Sequence, residues 1–406
     1  MKFEEFGLNQ ELLEGLGAMG FESATEIQEQ ALPAILKKED LIACAQTGTG
    51  KTAAFLLPVV HQLMEKPLQE ESIRALVIVP TRELALQIDQ ALEGLSYFTN
   101  ISSYALYGGG DGGDFNHQKK ILSEGIDFVI ATPGKLISHL NMGYVNTKHL
   151  SHLILDEADR MLDMGFFEDL MRIVSFIPKE RQTLMFSATM PPKIRTLAKK
   201  LLTEPKEISI SISKPAAGVL QAAYLVYEKD KPALIAKLLN KEDLEGVIVF
   251  SRTKKSVKEI AKSLRKGSKR IEEMHSDLVQ DEREEVMRMF KNRKLDVLIA
   301  TDILSRGIDI KGLQLVVNYD VPDEAEDYVH RVGRTARADN TGMAITFISP
   351  QEQGKFARIE SLIESDILKQ PCPPDIGESF EYNPRTKSKG KRRYGGNKRK
   401  SKRRKG

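Results

Sequence analysis

Leu41-Ile42-Ala43-Cys44-Ala45-Gln46-Thr47-Gly48-Thr49-Gly50-Lys51-Thr52 decides how this chain is read. Leu41–Ala45 reads as a buried strand, the glycines as a tight turn, and Ala53–Leu57 as the opening of a helix. A glycine-rich turn between strand and helix aims backbone amides at phosphates. Gly48 and Gly50 let the chain turn inward, Lys51 reaches the β- and γ-phosphates, and the Thr52 hydroxyl serves magnesium. Gln46, Thr47 and Thr49 complete the turn. Ala45 is a departure, because the general pattern opens on glycine.

The same rhythm continues along the chain. Apolar runs at Ala75–Val79, Phe128–Ala131, Leu153–Leu155 and Thr183–Phe186 alternate with helical stretches, and so do Val247–Phe250, Val297–Ala300, Leu315–Asn318 and Ala344–Ile348. Continuous apolar strands between amphipathic helices indicate parallel sheets covered on both faces, an α/β fold. Ligands of such sheets sit beyond the carboxyl ends of the strands. Polar clusters stand there: Pro80–Leu84, Thr132–Lys135, Asp156–Asp159, Ser187–Thr189, Ser251–Thr253 and Thr301–Asp309. Ser209–Gly218 breaks the rhythm with serine, proline and glycine. The sequence therefore predicts two parallel-sheet domains, 1–209 and 219–366, joined by a linker at 210–218 and facing each other across a cleft. Residues 367–406 are left as a tail.

Composition agrees with two domains. The chain has 406 residues, 41% of them apolar, too many for one core. Its longest apolar stretches fall far short of the ~18 residues a membrane span needs. The acidic start, Met1–Phe6, is unlike a signal peptide. Two cysteines, Cys44 and Cys372, exclude a disulfide framework and a cysteine-built zinc site. A soluble, cytoplasmic protein without a membrane partner is expected. The net charge of +3 conceals thirteen Lys or Arg and no acid in 385–406, which leaves the first 384 residues at −10. That basic segment has no core-forming residues and reads as disordered and polyanion-binding.

A triphosphate site needs a carboxylate from a neighbouring strand. Asp156-Glu157-Ala158-Asp159 follows the Leu153–Leu155 run and supplies it. Asp156 suits the magnesium shell, and Glu157 suits the orientation and deprotonation of the attacking water. Coupled to the phosphate turn, the tetrad reads as catalytic rather than as helix-end charge.

These residues, in this order, resemble the DEAD-box RNA helicases, whose name the tetrad spells. Gly20-Phe21 through Gln28 resembles the adenine-reading Q motif, with Phe3 at the place of its stacking aromatic. Pro80–Ala85, Gly108-Gly109, Thr132–Lys135 and Ser187–Thr189 match motifs of the family's first domain. Phe250–Thr253, His275–Arg283, Thr301-Asp302, Arg306–Asp309 and His330–Arg337 match the second. The resemblance covers about residues 1–366. Leu155–Phe166 and Asn318–Pro322 look most like the bacterial RhlE-type branch. Ala24 stands where the Q motif has proline, which predicts a looser turn, and Lys135 where arginine is usual.

The resemblance implies two RecA-like domains that close on ATP, Mg2+ and RNA. It assigns Asp309 to the ribose, Arg334 and Arg337 to the γ-phosphate, and His330 to a reach across the cleft toward Ser187 and Thr189. Arg82, Gly109, Thr132, Gly134, Arg252, Thr253, Gln280, Arg283, Thr301 and Arg306 become the RNA-gripping candidates, holding backbone phosphates without reading bases. The implied activity is ATP-driven local unwinding of short duplexes or remodelling of RNA–protein complexes. A DNA-directed helicase and an ATP-gated RNA clamp or scaffold are the alternatives. Ribosomal precursors and the RNA-decay machinery are both open as partners.

Overall fold

The computed structural model describes every residue except 46–47, 67–70, 109–111, 211–218, 241–243, 245, 302–312, 336–341 and 385–406, together with the side chains of 112–114 and Gln280. Strands β1 (Leu41–Cys44), β2 (Ile73–Ile78), β3 (Ser103–Leu106), β4 (Ile126–Ala131), β5 (His152–Leu155), β6 (Gln182–Ser187) and β7 (Lys206–Ser209) form one sheet. Their order is β3-β4-β2-β5-β6-β1-β7, and the pairings are parallel. β2 and β4 are buried along their whole length, as interior strands covered on both faces must be.

The second sheet contains β8 (Leu220–Leu225), β9 (Val247–Phe250), β10 (Ile271–Met274), β11 (Val297–Ala300), β12 (Leu315–Asn318), β13 (Met343–Ile348) and β14 (Leu368–Pro371). Its order, β10-β11-β9-β12-β13-β8-β14, is that of the first sheet moved on by seven. These pairings are parallel too. No sequence repeat announces this duplication.

Helices cover both faces of each sheet. Glu26–Leu36, Lys51–Met64 and Arg82–Leu95 bury Leu32, Phe55 and Leu92 against one face of the first sheet. Pro133–Leu140, Phe167–Val174 and Pro192–Leu201 bury Leu136, Leu170 and Leu197 against the other. In the second domain, Lys231–Leu239 and Lys254–Leu264 bury Leu234, Val257 and Ile260 on one face. Ala325–Val332 and Gln353–Ile363 bury Tyr328 and Phe356.

Both sequence boundaries move. The Ile210 N–H donates to the Cys44 carbonyl at 2.9 Å, so residue 210 still belongs to the first sheet. Beyond 366 the chain adds β14 beside β8, and Phe380 and Tyr382 pack on the second core. An alternating, half-polar strand such as Leu368-Lys369-Gln370-Pro371 has no continuous apolar run to betray it. The expected linker, apart from residue 210 (and Val219 beyond it), and the basic segment 385–406 lie outside the described residues.

Candidate functional site

The sheet order sorts the candidate residues into halves. Ends of β1, β5 and β6 carry the phosphate turn, the acidic tetrad and Ser187–Thr189. Ends of β2 and β4 carry Arg82, Thr132 and Gly134. In the second sheet the corresponding half, β10-β11-β9, leads into Arg283, Thr301, Arg252 and Thr253.

At the phosphate turn, Gly48 and Gly50 take φ values of +85° and +93°, a region that an L side chain enters only at a cost. Space demands glycine at 50 as well, because a Cβ there would lie 2.6 Å from Gln28 Nε2 and 2.8 Å from Thr25 Oγ1. Gln28 Nε2 donates to the Gly50 carbonyl at 3.0 Å, and Thr25 Oγ1 to the Thr49 carbonyl at 2.8 Å. Gln28 Oε1 accepts from the Thr25 N–H at 2.9 Å, capping the helix. The glutamine thus braces the turn and retains one N–H and one lone pair for a base.

Two expectations change around it. The Ala24 N–H, which proline would lack, donates to the Met1 carbonyl at 3.0 Å. The turn is pinned, not loosened. Phe3 is only 3% exposed and packs in the core beside Phe6, so little of its ring is open to stacking.

Lys51 opens the helix after the turn, and its Nζ is buried without a hydrogen-bond partner. Burial pushes the Asp156 carboxyl up to about 6; the Lys51 charge opposes this, and those of Glu157 and Asp159 add to it. Asp156 Oδ1 accepts from the Glu157 N–H at 2.9 Å. Glu157 itself sits at φ +51°, and its Oε2 accepts from Arg160 Nη1 at 3.0 Å. Asp159 Oδ2 accepts from the N–H groups of Ala188 (3.1 Å) and Thr189 (2.9 Å) and from Thr189 Oγ1 (2.9 Å). The Ser187 hydroxyl donates to the Thr189 carbonyl at 2.8 Å. Tetrad and Ser-Ala-Thr segment are therefore tied together by hydrogen bonds. Sequence reasoning gave no role to Arg160 and placed Thr25 only as part of the Q motif; their contacts reveal what each holds.

A cavity of about 710 Å³ joins the domains, lined by Lys51, Glu157, Asp159 and Thr189 from the first and Glu324, His330 and Arg334 from the second. The structure thus gathers Lys51, Glu157, Thr189, His330 and Arg334 around one space; Asp156 is buried and Thr52 half-buried. Gln46, Thr47, Asp309, Arg337, Gly109, Arg306 and the Gln280 side chain lie outside the described residues.

The RNA candidates cluster at helix starts, where free N–H groups and the helix dipole favour anions. Thr132 precedes Pro133–Leu140, with Gly134 unobstructed in its first turn. Thr253 caps Lys254–Leu264, its side chain accepting from the Ser256 N–H at 3.1 Å. Arg283 sits in the first turn of Gln280–Lys291, and its Nε donates to the Leu278 carbonyl at 3.0 Å. Thr301 follows β11, half-buried. Arg82 lies over the Tyr107 ring and pairs across the domains with Glu284 at 2.8 Å. The Arg252 guanidinium is engaged rather than open: Nη2 donates to Glu352 Oε1 at 2.7 Å, and Asp323 stands 3.8 Å from Nε.

A profile of the DEAD/DEAH box helicase family matches residues 25–197, and one of the helicase conserved C-terminal domain matches 230–339. The chain is 44% identical to the ATP-dependent RNA helicase CshA of Listeria monocytogenes over 92% of its own length and 71% of that protein. The chain belongs to the DEAD-box family of ATP-dependent RNA helicases. This DEAD-box chain is also 40% identical to CshA of Bacillus subtilis, over 91% of itself and 74% of that protein. The DEAD-box fold is shared with Saccharomyces cerevisiae Dbp5 bound to RNA and ADP-BeF3, with TM-score 0.80 and 30% identity over 91% of this chain and 95% of that one. Against Dbp5 bound to Nup159, Gle1, IP6 and ADP the TM-score is 0.63. As a DEAD-box helicase the protein binds ATP and is an RNA-dependent ATPase that unwinds or remodels RNA. Among the described residues no helix is long and apolar enough to cross a membrane.

Proposed function

We propose that the cavity between the domains is where ATP is hydrolysed and that the helix starts beside it hold the RNA backbone. One observation carries the reading: a buried, unpartnered Lys51 ammonium faces a space whose far wall is Arg334 and His330. A buried cation without a partner is costly unless a ligand completes it. Phosphate oxygens complete it, and the amides around Gly48 and Gly50 add donors.

Thr52 and Asp156 are the residues that fit a magnesium ion. Among the described residues no group of three or more metal-binding side chains exists, so the ion's remaining ligands come from phosphates and water, as magnesium prefers. Held there by Thr52 and Asp156, magnesium would supply neutralisation of the phosphate charge. Glu157, fixed by Arg160, accepts the proton of the attacking water. Asp159 transmits the state of that site to Ser187–Thr189 through its three bonds. Arg334 and His330 complete the site from the second domain, and Arg337 and Asp309 are assigned with them.

Because the helix starts meet phosphates and not bases, the grip carries little sequence preference, and the charges of 385–406 add affinity without adding any. Ribosomal precursors and decay substrates both fit such a grip. On the branch, the RhlE-type likeness rests on Leu155–Phe166 and Asn318–Pro322 alone, while the relatives above carry the name CshA.

Glu157→Gln tests the site. It should bind ATP and RNA normally and lose RNA-stimulated turnover by about 10²-fold or more, since a neutral amide cannot take the proton. Lys51→Ala should instead weaken ATP binding. Turnover of Glu157→Gln near wild type, or equal stimulation of the wild type by DNA, would contradict the reading.

A further inference from the structure

The duplicated strand order makes the two domains comparable strand by strand. β8 occupies the place of β1, β12 that of β5, and β13 that of β6. β1 leads to a helix whose first residue is Lys51, and β8 leads to one whose first residue is Lys231. Asp156 follows β5 directly, and Asp320 stands two residues beyond β12. Both domains thus place a buried lysine at a helix start and an aspartate beyond the end of the equivalent strand, two places away in the sheet.

Their occupants differ. Lys51 Nζ has no hydrogen-bond partner. Lys231, fully buried, is surrounded by Glu228 Oε1 at 3.0 Å, Glu352 Oε2 at 3.1 Å and Asp320 Oδ1 at 3.6 Å. Where the first domain has a glycine-rich turn, the second has Val226-Tyr227-Glu228-Lys229-Asp230. Carboxylates of the chain itself fill the place that the first domain leaves for phosphates.

The far sides of these carboxylates are also engaged. Asp320 Oδ2 accepts from the Arg252 N–H and the Ser251 hydroxyl, both at 2.8 Å. Glu352 Oε1 accepts from Arg252 Nη2 at 2.7 Å and the Val321 N–H at 3.2 Å. Ser251 Oγ meets Ser256 Oγ at 2.7 Å, inside the helix that Thr253 caps. Lys231 thus holds two acids, and the acids hold the Ser251–Thr253 turn. Burial opposes charge on Lys231, yet Glu352, Asp320 and Glu228 more than offset it and keep its ammonium above the usual lysine range.

We propose that Lys231, Asp320 and Glu352 are a self-filled counterpart of the ATP site, and that they act as positioning residues keeping the Ser251–Thr253 turn in its RNA-holding shape whether or not ATP is bound. This rests on the reading of that turn as an RNA contact. The first domain's grip then answers to nucleotide through its empty lysine, while the second domain's grip is permanently set.

The test uses the full chain and single-stranded oligo-RNA, reading ATPase against RNA concentration. Thr253→Ala checks the underlying reading and should raise the RNA half-saturation about five- to tenfold. If it is silent, the turn is no RNA contact and that reading falls by itself. Glu352→Gln keeps the side chain's size and should raise the RNA half-saturation by a similar factor, with the ATP KM and the rate at saturating RNA within about twofold of wild type. A positioning residue acts only through the turn, so Glu352→Gln/Thr253→Ala should be no worse than the worse single variant. Lys231→Met should behave as Glu352→Gln does, and Lys231→Arg should restore RNA half-saturation. If Lys231→Met does not fold, Glu352→Gln and the double variant decide alone. A Glu352→Gln protein with wild-type RNA half-saturation beside an impaired Thr253→Ala, or fully additive losses in the double variant, would overturn the proposal.

Discussion

Asp156→Asn should make the nucleotide-free protein more stable while destroying its activity. The Asp156 carboxyl titrates near 6 in the fold, against an ordinary value of 3.8. Between those values the folded chain keeps a proton that the unfolded chain has released. The stability that this carboxyl contributes is therefore greatest below pH 4, falls through the window from 4 to 6, and stays reduced above it. A gap of about two pH units corresponds to about 3 kcal/mol at pH 8 and to about 1 kcal/mol at pH 4.5. Asparagine mimics the neutral acid and keeps an oxygen for the Glu157 N–H, so it escapes that loss. At about 2–4 °C per kcal/mol for a domain of this size, the first domain's transition should rise by about 6–12 °C at pH 8. Differential scanning calorimetry of the full chain without nucleotide or magnesium resolves that transition, and ATPase is measured in parallel. A variant that melts below wild type at pH 8, or an advantage equal at pH 8 and pH 4.5, would refute the reasoning. The trade is the usual one at a working site, where charge is held in an unfavourable place for the ligand it awaits.

Two more outcomes follow from other parts of the chain. Gln28→Ala should reduce the preference for ATP over GTP, because the spare N–H and lone pair of Gln28 match adenine and leave guanine unpaired, a difference of about 1–3 kcal/mol; steady-state turnover of both nucleotides by both proteins checks it, and equal use of ATP and GTP by the wild type would sink the assignment. Truncation after Pro384 should leave the ATPase rate at saturating RNA intact and flatten the log–log salt slope of RNA affinity by about 4 if roughly six of the removed charges meet phosphates; affinity across 50–200 mM salt measures it, and an unchanged slope would mean the segment does not bind RNA.

Interior strands were legible because burial on both faces demands continuous apolar residues, as in Ile73–Ile78 and Val247–Phe250. Ser103–Leu106, Lys206–Ser209, Ile271–Met274 and Leu368–Pro371 were not, and these four stand at sheet edges; Leu220–Leu225 was missed as well, an interior strand most of whose residues are exposed or only half-buried. An edge strand has one neighbour and often one wet face, so Lys206-Glu207-Ile208-Ser209 buries a single residue. Missing Leu368–Pro371 is what put the second domain's end at 366. The ATP-site residues were legible because their chemistry depends on local spacing. Lys231 and Glu352 stand 121 residues apart, and a contact at that distance leaves no pattern in either neighbourhood. The resemblance to the first domain's lysine appears only once the strands are placed in order.

The strand order also governs how the protein can be made. β1 lies between β6 and β7, and β8 between β13 and β14. In each domain the first strand to leave the ribosome is thus paired by the last two. With synthesis at about 5–20 residues per second, the roughly 120–140 residues between them leave each opening strand waiting on the order of 10 s for its neighbours. Neither sheet can close from its beginning. The phosphate turn, attached to β1, stays unformed until the Ser-Ala-Thr strand has been delivered, so the nascent chain acquires its ATP site late and all at once, and the second domain is complete only when Leu368–Pro371 arrives.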